Sequence, residues 1–186
     1  MSVSARLRAI LEELTRNAAH ADDEQLGRAV REIIDARHVF LAGAGRSGVA
    51  ITGFANRLLH LGKSVSVVGE ITSPHSGPGD LLIIGSGSGE TESLVALARR
   101  ARAADLRIVL ITMDATSAIA TLADVTVVLP GVSPKLRTAT AITSVQPMGS
   151  AFEQISFLTY DAIVLELMDA LNETTESMFP RHADLE

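Results

Sequence analysis

Two short segments carry residue types that bind anions. GAGRSG (43–48) and SGSGET (86–91) place glycines and hydroxyls where a short apolar run gives way to a helical pattern. Glycine lets backbone amides approach a ligand closely, and a helix N-terminus adds unpaired N–H groups and a favourable dipole. Ser86, Ser88 and Thr91 bring hydroxyls beside flexible amides, a donor set suited to a compact phosphomonoester. GAGRSG alone also matches the dinucleotide pattern G-x-G-x-x-G, with Glu70 about 20 residues further on. That reading leaves SGSGET unexplained, and 186 residues leave no room for a substrate domain beside a six-stranded cofactor domain. The pattern G-x-x-x-x-G-K-[ST] is missing, which excludes a P-loop. The plainer alternative is that these residues make turns and that Ser88 or Thr91 caps a helix. Two such loops at the carboxyl ends of two strands, where open α/β sheets bind ligands, favour a phosphate site.

Residues able to move protons lie elsewhere, and each has a structural reading. His60 falls just before Gly62, where a satisfied core histidine or a charge facing a helix C-terminus is expected. Glu153 ends Ser150-Ala-Phe-Glu153, the S-x-x-E pattern of a capping box. His20, His38 and His182 have no partner pattern, and His75 reads as a surface-loop residue. Glu90 and Glu92 read as complements to a helix N-terminus. Lys135 and Arg137 either lean over an anionic substrate or form a solvated pair. The chain has no cysteine, which removes disulfides, thiolate nucleophiles and Cys-based metal sites. With no convincing His/carboxylate ligand cluster either, no metal is expected.

The elements that must position these residues follow from hydropathy rhythm. Val3, Leu7, Ile10, Leu11 and Leu14 recur at helical spacing, and Asp22 with Gln25 starts a second helix in a capping-box pattern. Short apolar runs at 38–42, 65–68, 81–84, 107–111 and 125–129 then alternate with helical stretches near 47–61, 91–104 and 116–123. Runs apolar on both faces, joined by helix-length connections, predict a doubly wound parallel α/β sheet with helices on both faces. Residues 130–150 form a long connection, a length that is usually functional or disordered. The last helix, 151–172, has apolar residues on more than one stripe, so it is either deeply buried or a subunit interface; the interface reading is favoured.

Composition fits this plan. At 47% apolar and 20% charged the chain is ordinary for a globular protein, and 3% aromatic content calls for an aliphatic core. A net charge of −6 argues against a nucleic-acid surface. No apolar run approaches the roughly 18 residues of a membrane span, so a cytoplasmic protein is expected. One domain is expected, with N-terminal helices over 1–36, a core over 38–172 and a tail over 173–186.

Four segments taken together resemble a known family. FLAGAGRSG (40–48), NRLLHLG (56–62), GSGSGETES (85–93) and QPMGSAFEQ (146–154) are similar to the sugar isomerase (SIS) domain, and within it to the 6-phospho-3-hexuloisomerases. SGSGET marks the wider family, and QPMGS-x-FEQ the narrower branch. The resemblance implies a five-stranded parallel sheet and a homotetramer, with a dimer as the smaller alternative. It implies a cofactor-independent exchange of 3-hexulose 6-phosphate and fructose 6-phosphate, in formaldehyde fixation or pentose-phosphate supply. Carried over by residue, Ser47, Ser86, Ser88 and Thr91 would hold the phosphate, with Gly45, Gly87 and Gly89 admitting the backbone. Arg46 would contribute electrostatically, near the phosphate or a sugar hydroxyl. Glu153 would be the base and His60 the ring-opening or proton-relay residue. His75, in SPHSG, stands where a small or apolar residue is expected.

Geometry constrains the last assignment. His60 stands thirteen positions after Ser47 on one helix, roughly 20 Å away at 1.5 Å per residue. A catalytic His60 would therefore have to come from another subunit. The rivals are a non-catalytic phosphosugar sensor, though no DNA-binding or other output domain is evident, and the dinucleotide-binding domain.

Overall fold

A computed structural model describes residues 2–134 and 143–185. Lys135 and Arg137 lie outside the described residues. Two helices come first, α1 (Val3–Ala18) and α2 (Asp23–Asp35). Asp22 caps α2 through the amides of Glu24 and Gln25, at 2.9 and 3.1 Å. The Gln25 side chain does not close a capping box; its Oε1 accepts from the Val128 amide and ties α2 to the sheet.

The core follows as β1 (Val39–Gly43), α3 (Gly45–His60), β2 (Val65–Val67), β3 (Leu81–Gly85), α4 (Glu92–Ala103), β4 (Arg107–Thr112), β5 (Val125–Val128) and α5 (Ser150–Leu171). The five strands are all parallel, in the order β2-β1-β3-β4-β5. Alternate side chains point to opposite faces, so β1 sends Val39 and Leu41 one way and Phe40 and Ala42 the other. The first face is covered by α2, α3 and α5, and the second by α4 and residues 118–123. Burying an Ile or Leu such as Ile83 or Leu110 contributes about 1.5–3 kcal/mol, which explains why both faces read as continuous apolar runs.

One expected helix does not form. Residues 116–123 contain only a 3-10 turn at Ala120–Leu122. Asp114 bends the chain by accepting from the Thr116 amide at 2.8 Å, and two further amides are engaged outside any helix. Ala118 N–H donates to Glu90 Oε1 at 2.7 Å, and Ile119 N–H to Gly89 O at 3.1 Å. Glu90 is therefore an anchor for this segment rather than a complement to α4; Glu92 does occupy the first turn of α4.

After α5 the chain forms α6 (Thr175–Met178), started by a capping box between Thr174 and Ser177. Among the described residues, no helix is long and apolar enough to cross a membrane.

Candidate active site

The strand order reverses between β1 and β3: β1 is followed in sequence by β2 on one side, while β3 lies on the other. Open α/β sheets bind ligands at such a switch point. Gly43 and Gly85 are register partners at the carboxyl ends of these strands, so the two glycine-rich loops leave the sheet side by side. The first loop needs glycine at both ends. A Cβ on Gly43 would lie 2.9 Å from Gly48 Cα, and one on Gly48 would lie 3.0 Å from Gly43 O. Only this close approach lets α3 begin directly above the strand.

Gly45, Arg46 and Ser47 of the first loop and Ser86, Gly87, Ser88 and Thr91 of the second line one cavity of about 340 Å³. Its remaining wall is built by Met113, Ser133, Met148, Phe152 and Glu153. Ser47 and Thr91 make no side-chain hydrogen bond among the described residues, and Thr91 is the N-cap residue of α4 without capping it by its hydroxyl. Ser88 Oγ accepts from the Glu90 amide, at 3.3 Å. Buried Ser86 accepts from the Gly89 amide at 3.2 Å. The first-turn amides of α3 and α4 have no intrahelical acceptor, which leaves them available to an anion. Hydroxyls and amides thus converge on one small volume.

Gly89 differs from the others. It does not line the cavity; at φ +62° it closes the turn, and a Cβ there would collide with Ser117 Oγ. Its role is to shape the loop rather than to let a ligand approach.

Glu153 reaches the cavity from the first turn of α5. The capping-box alternative is not what forms: Gly149 is the N-cap residue, Ser150 is already helical, and no side chain caps the helix. The Glu153 carboxylate instead accepts from Arg46 Nε in an ion pair across the cavity. Met148, just before the helix, holds a left-handed conformation at φ +59°. Such backbone is costly for a residue with a side chain and concentrates at functional sites.

His60 is elsewhere. It is buried at the end of α3 and lines a separate cavity of about 430 Å³ with Arg57, Asp161, Phe179 and His182. Its Nδ1 lies 3.1 Å from Arg57 Nη1, and since arginine can only donate, Nδ1 accepts and the ring proton sits on Nε2. Burial, then Arg57, His182 and Arg181, push the His60 pKa below its ordinary value, so the ring is neutral at pH 7. His182 stacks on it at 5.2 Å between ring centroids, and Arg181 Nη1 donates to the His60 carbonyl at 3.0 Å.

His20, His38, His75 and Glu70 lie outside the paired-loop cavity. His38 bonds Ser64 Oγ and Ser66 Oγ at 2.8 and 3.0 Å, while His20 and His75 are exposed. Glu70 is exposed and accepts from the Val67 amide at 3.3 Å, outside the paired-loop cavity. A larger cleft of about 830 Å³ opens between α3 and α4, but it holds neither Ser47, the SGSGET hydroxyls nor Glu153. Met113, Ser133, Met148 and Phe152 were not singled out from the sequence. Met148 and Phe152 fall inside QPMGSAFEQ, and Met113 follows the carboxyl end of β4, so position alone pointed to them.

Comparison with known proteins agrees with this geometry. Residues 32–156, more than half of the chain, match the SIS domain family. A Bacillus subtilis protein named 3-hexulose-6-phosphate isomerase is 42% identical over 177 residues, covering 95% of each chain. One of the same name from Mycobacterium gastri is 38% identical, covering 99% of this chain and 92% of its own. A crystal structure from Methanococcus jannaschii, described as inferring a molecular function of 3-hexulose-6-phosphate isomerase, superposes with a TM-score of 0.84. It is 30% identical and covers 98% of this chain and 99% of its own.

Proposed function

The chain belongs to the SIS domain family, and we propose that within it the protein converts D-arabino-3-hexulose 6-phosphate to D-fructose 6-phosphate. The observation that carries this reading is the Glu153 carboxylate facing the same small cavity as the phosphate-type donors of both loops. Ser47, Ser86, Ser88 and Thr91, with the Gly45 and Gly87 backbone, hold the phosphate. Glu153 removes the proton from C2; the C2–H electron pair becomes the C2=C3 bond of a cis-enediol as the C3 carbonyl oxygen takes up a proton. Collapse of the enediol releases the C2 hydroxyl proton, forms the C2 carbonyl and takes a proton from Glu153 at C3. Electrons move only within the sugar, so the balance needs no external oxidant. General-base assistance of this kind is worth about 10²–10⁴-fold.

His60, too distant in its own chain, is supplied by a second subunit. Its neutral ring with the proton on Nε2 suits proton relay to a sugar oxygen, and opening of the fructose 6-phosphate ring in the reverse direction. The protein then acts as a homo-oligomer, a tetramer or a dimer, in the cytoplasm, within the ribulose monophosphate pathway of formaldehyde fixation.

The test is turnover of synthetic 3-hexulose 6-phosphate by the purified protein and by Glu153→Gln. The parent is expected to form fructose 6-phosphate, and the variant to melt normally yet lose at least about 10²-fold in kcat. Near-normal turnover by the variant contradicts the role of Glu153. Binding of fructose 6-phosphate without turnover by the parent identifies a sensor instead.

A further inference from the structure

The Arg46–Glu153 ion pair occupies the carboxylate that the isomerase reading requires as a base. Arg46 Nε donates to Glu153 Oε2, and the two residues stand 107 positions apart in sequence. The Arg46 side chain is 67% exposed and that of Glu153 only 19%, so the carboxylate lies in the cavity wall while the guanidinium borders solvent. A base paired in this way has an oxygen engaged by a cation rather than presented to a C–H bond.

The same guanidinium borders the phosphate donors. Arg46 precedes Ser47 in α3 and shares the cavity with Ser86, Ser88 and Thr91. A phosphomonoester brings about −1.5 to −2 charges at pH 7 and three acceptor oxygens, against one charge on the carboxylate. Arginine's planar fork matches phosphate in a bidentate geometry. An exposed guanidinium set between a partly buried carboxylate and an arriving phosphate is drawn to the more highly charged partner.

We infer that Arg46 is a transferable counter-ion: it pairs with Glu153 in the empty site, and the phosphate of a bound ketose phosphate draws it away and releases Glu153 for proton transfer. The inference rests on the isomerase reading and deepens it, because the phosphate becomes a switch for the base as well as an anchor. Arg46 acts on the chemistry through Glu153 and is in that respect a positioning residue.

A binding cycle tests this without turnover. The probe is glucitol 6-phosphate, which carries the phosphate but has no carbonyl to isomerise, titrated calorimetrically into the parent, Glu153→Gln, Arg46→Met and the double variant. Glu153→Gln removes the competitor for Arg46 and is expected to bind the probe roughly three- to fivefold more tightly, the scale of a partly exposed ion pair. In the Arg46→Met background the same substitution is expected to change affinity by less than about 1.5-fold, since no transferable cation remains. Both residues line the cavity, and thermal melting verifies that each variant folds. Tightening that persists without Arg46 reports simple repulsion between Glu153 and phosphate and overturns the inference. Absence of any tightening in Glu153→Gln overturns it as well. If the parent binds no probe, the isomerase reading falls together with the inference; binding without coupling removes the inference alone.

Discussion

In the proposed mechanism the hydroxyls of Ser47, Ser86, Ser88 and Thr91, which line one cavity, grip a group remote from the carbons that react, which makes their contribution to rate indirect. Binding energy from a remote group positions the reacting atoms and raises kcat only when it is realised in the transition state. Unphosphorylated 3-hexulose and fructose are therefore expected to lose kcat by at least about tenfold, in addition to losing affinity. Steady-state rates at saturating sugar check this, and equal kcat values for sugar and sugar phosphate contradict it. Residue types and spacing singled out the two loops with Ser86, Ser88 and Thr91, while Ser47 entered through the family resemblance; the structure brings all four to one cavity. Glu153 was legible only as an alternative, because S-x-x-E is a local pattern that cannot show where the helix starts. With left-handed backbone at Met148 and the N-cap at Gly149, the helix starts at Ser150 itself, and Arg46 takes the carboxylate from a distant part of the chain. Long-range pairs of this kind leave no trace in local spacing.

The site is carried by the fit of α5 beneath the second loop. Tyr160 of α5 is buried against the end of β3 and stacks on Phe54 of α3, with centroids 4.8 Å apart. A Cβ on Gly85 would sit 2.7 Å from the Tyr160 hydroxyl. Gly85→Ala is therefore expected to destabilise the protein by about 1–3 kcal/mol, the usual cost of overpacking a well-filled core. Tyr160→Phe in the same chain removes the colliding oxygen and is expected to restore part of that loss in denaturant titrations. A full, unrelieved loss in the double variant contradicts the packing account. All five strands were legible within a residue or two, since strands buried on both faces read as apolar runs bounded by turns. The segment 116–123 was misread as a helix because its apolar spacing is real, yet its amides bond to Gly89 and Glu90 across the fold. Tertiary hydrogen bonds overrode a local period there.

At the scale of the molecule, α5 both fills the core and remains partly uncovered. Ile155, Ile163 and Leu167 are buried beside α3 and α2, whereas Phe157, Leu158 and Leu165 are exposed, Leu165 at 64%. The buried alternative for this helix therefore holds on one side, and the other side leaves apolar residues uncovered. With Glu153 in one cavity and His60 in another, a single chain does not assemble both proton-handling groups, and an interface that joins them is the central claim of the proposed mechanism. The direct measurement mixes Glu153→Gln protein with His60→Ala protein, exchanges subunits, and assays 3-hexulose 6-phosphate turnover. Each variant alone is expected to be nearly inactive. In a random equal mixture, a site that takes its Glu153 and its His60 from different subunits is intact in about a quarter of cases, whichever closed symmetry the assembly adopts. Recovery to about a quarter of parent activity is the result this account predicts. A mixture that stays inactive after mass spectrometry has shown complete subunit exchange would contradict it.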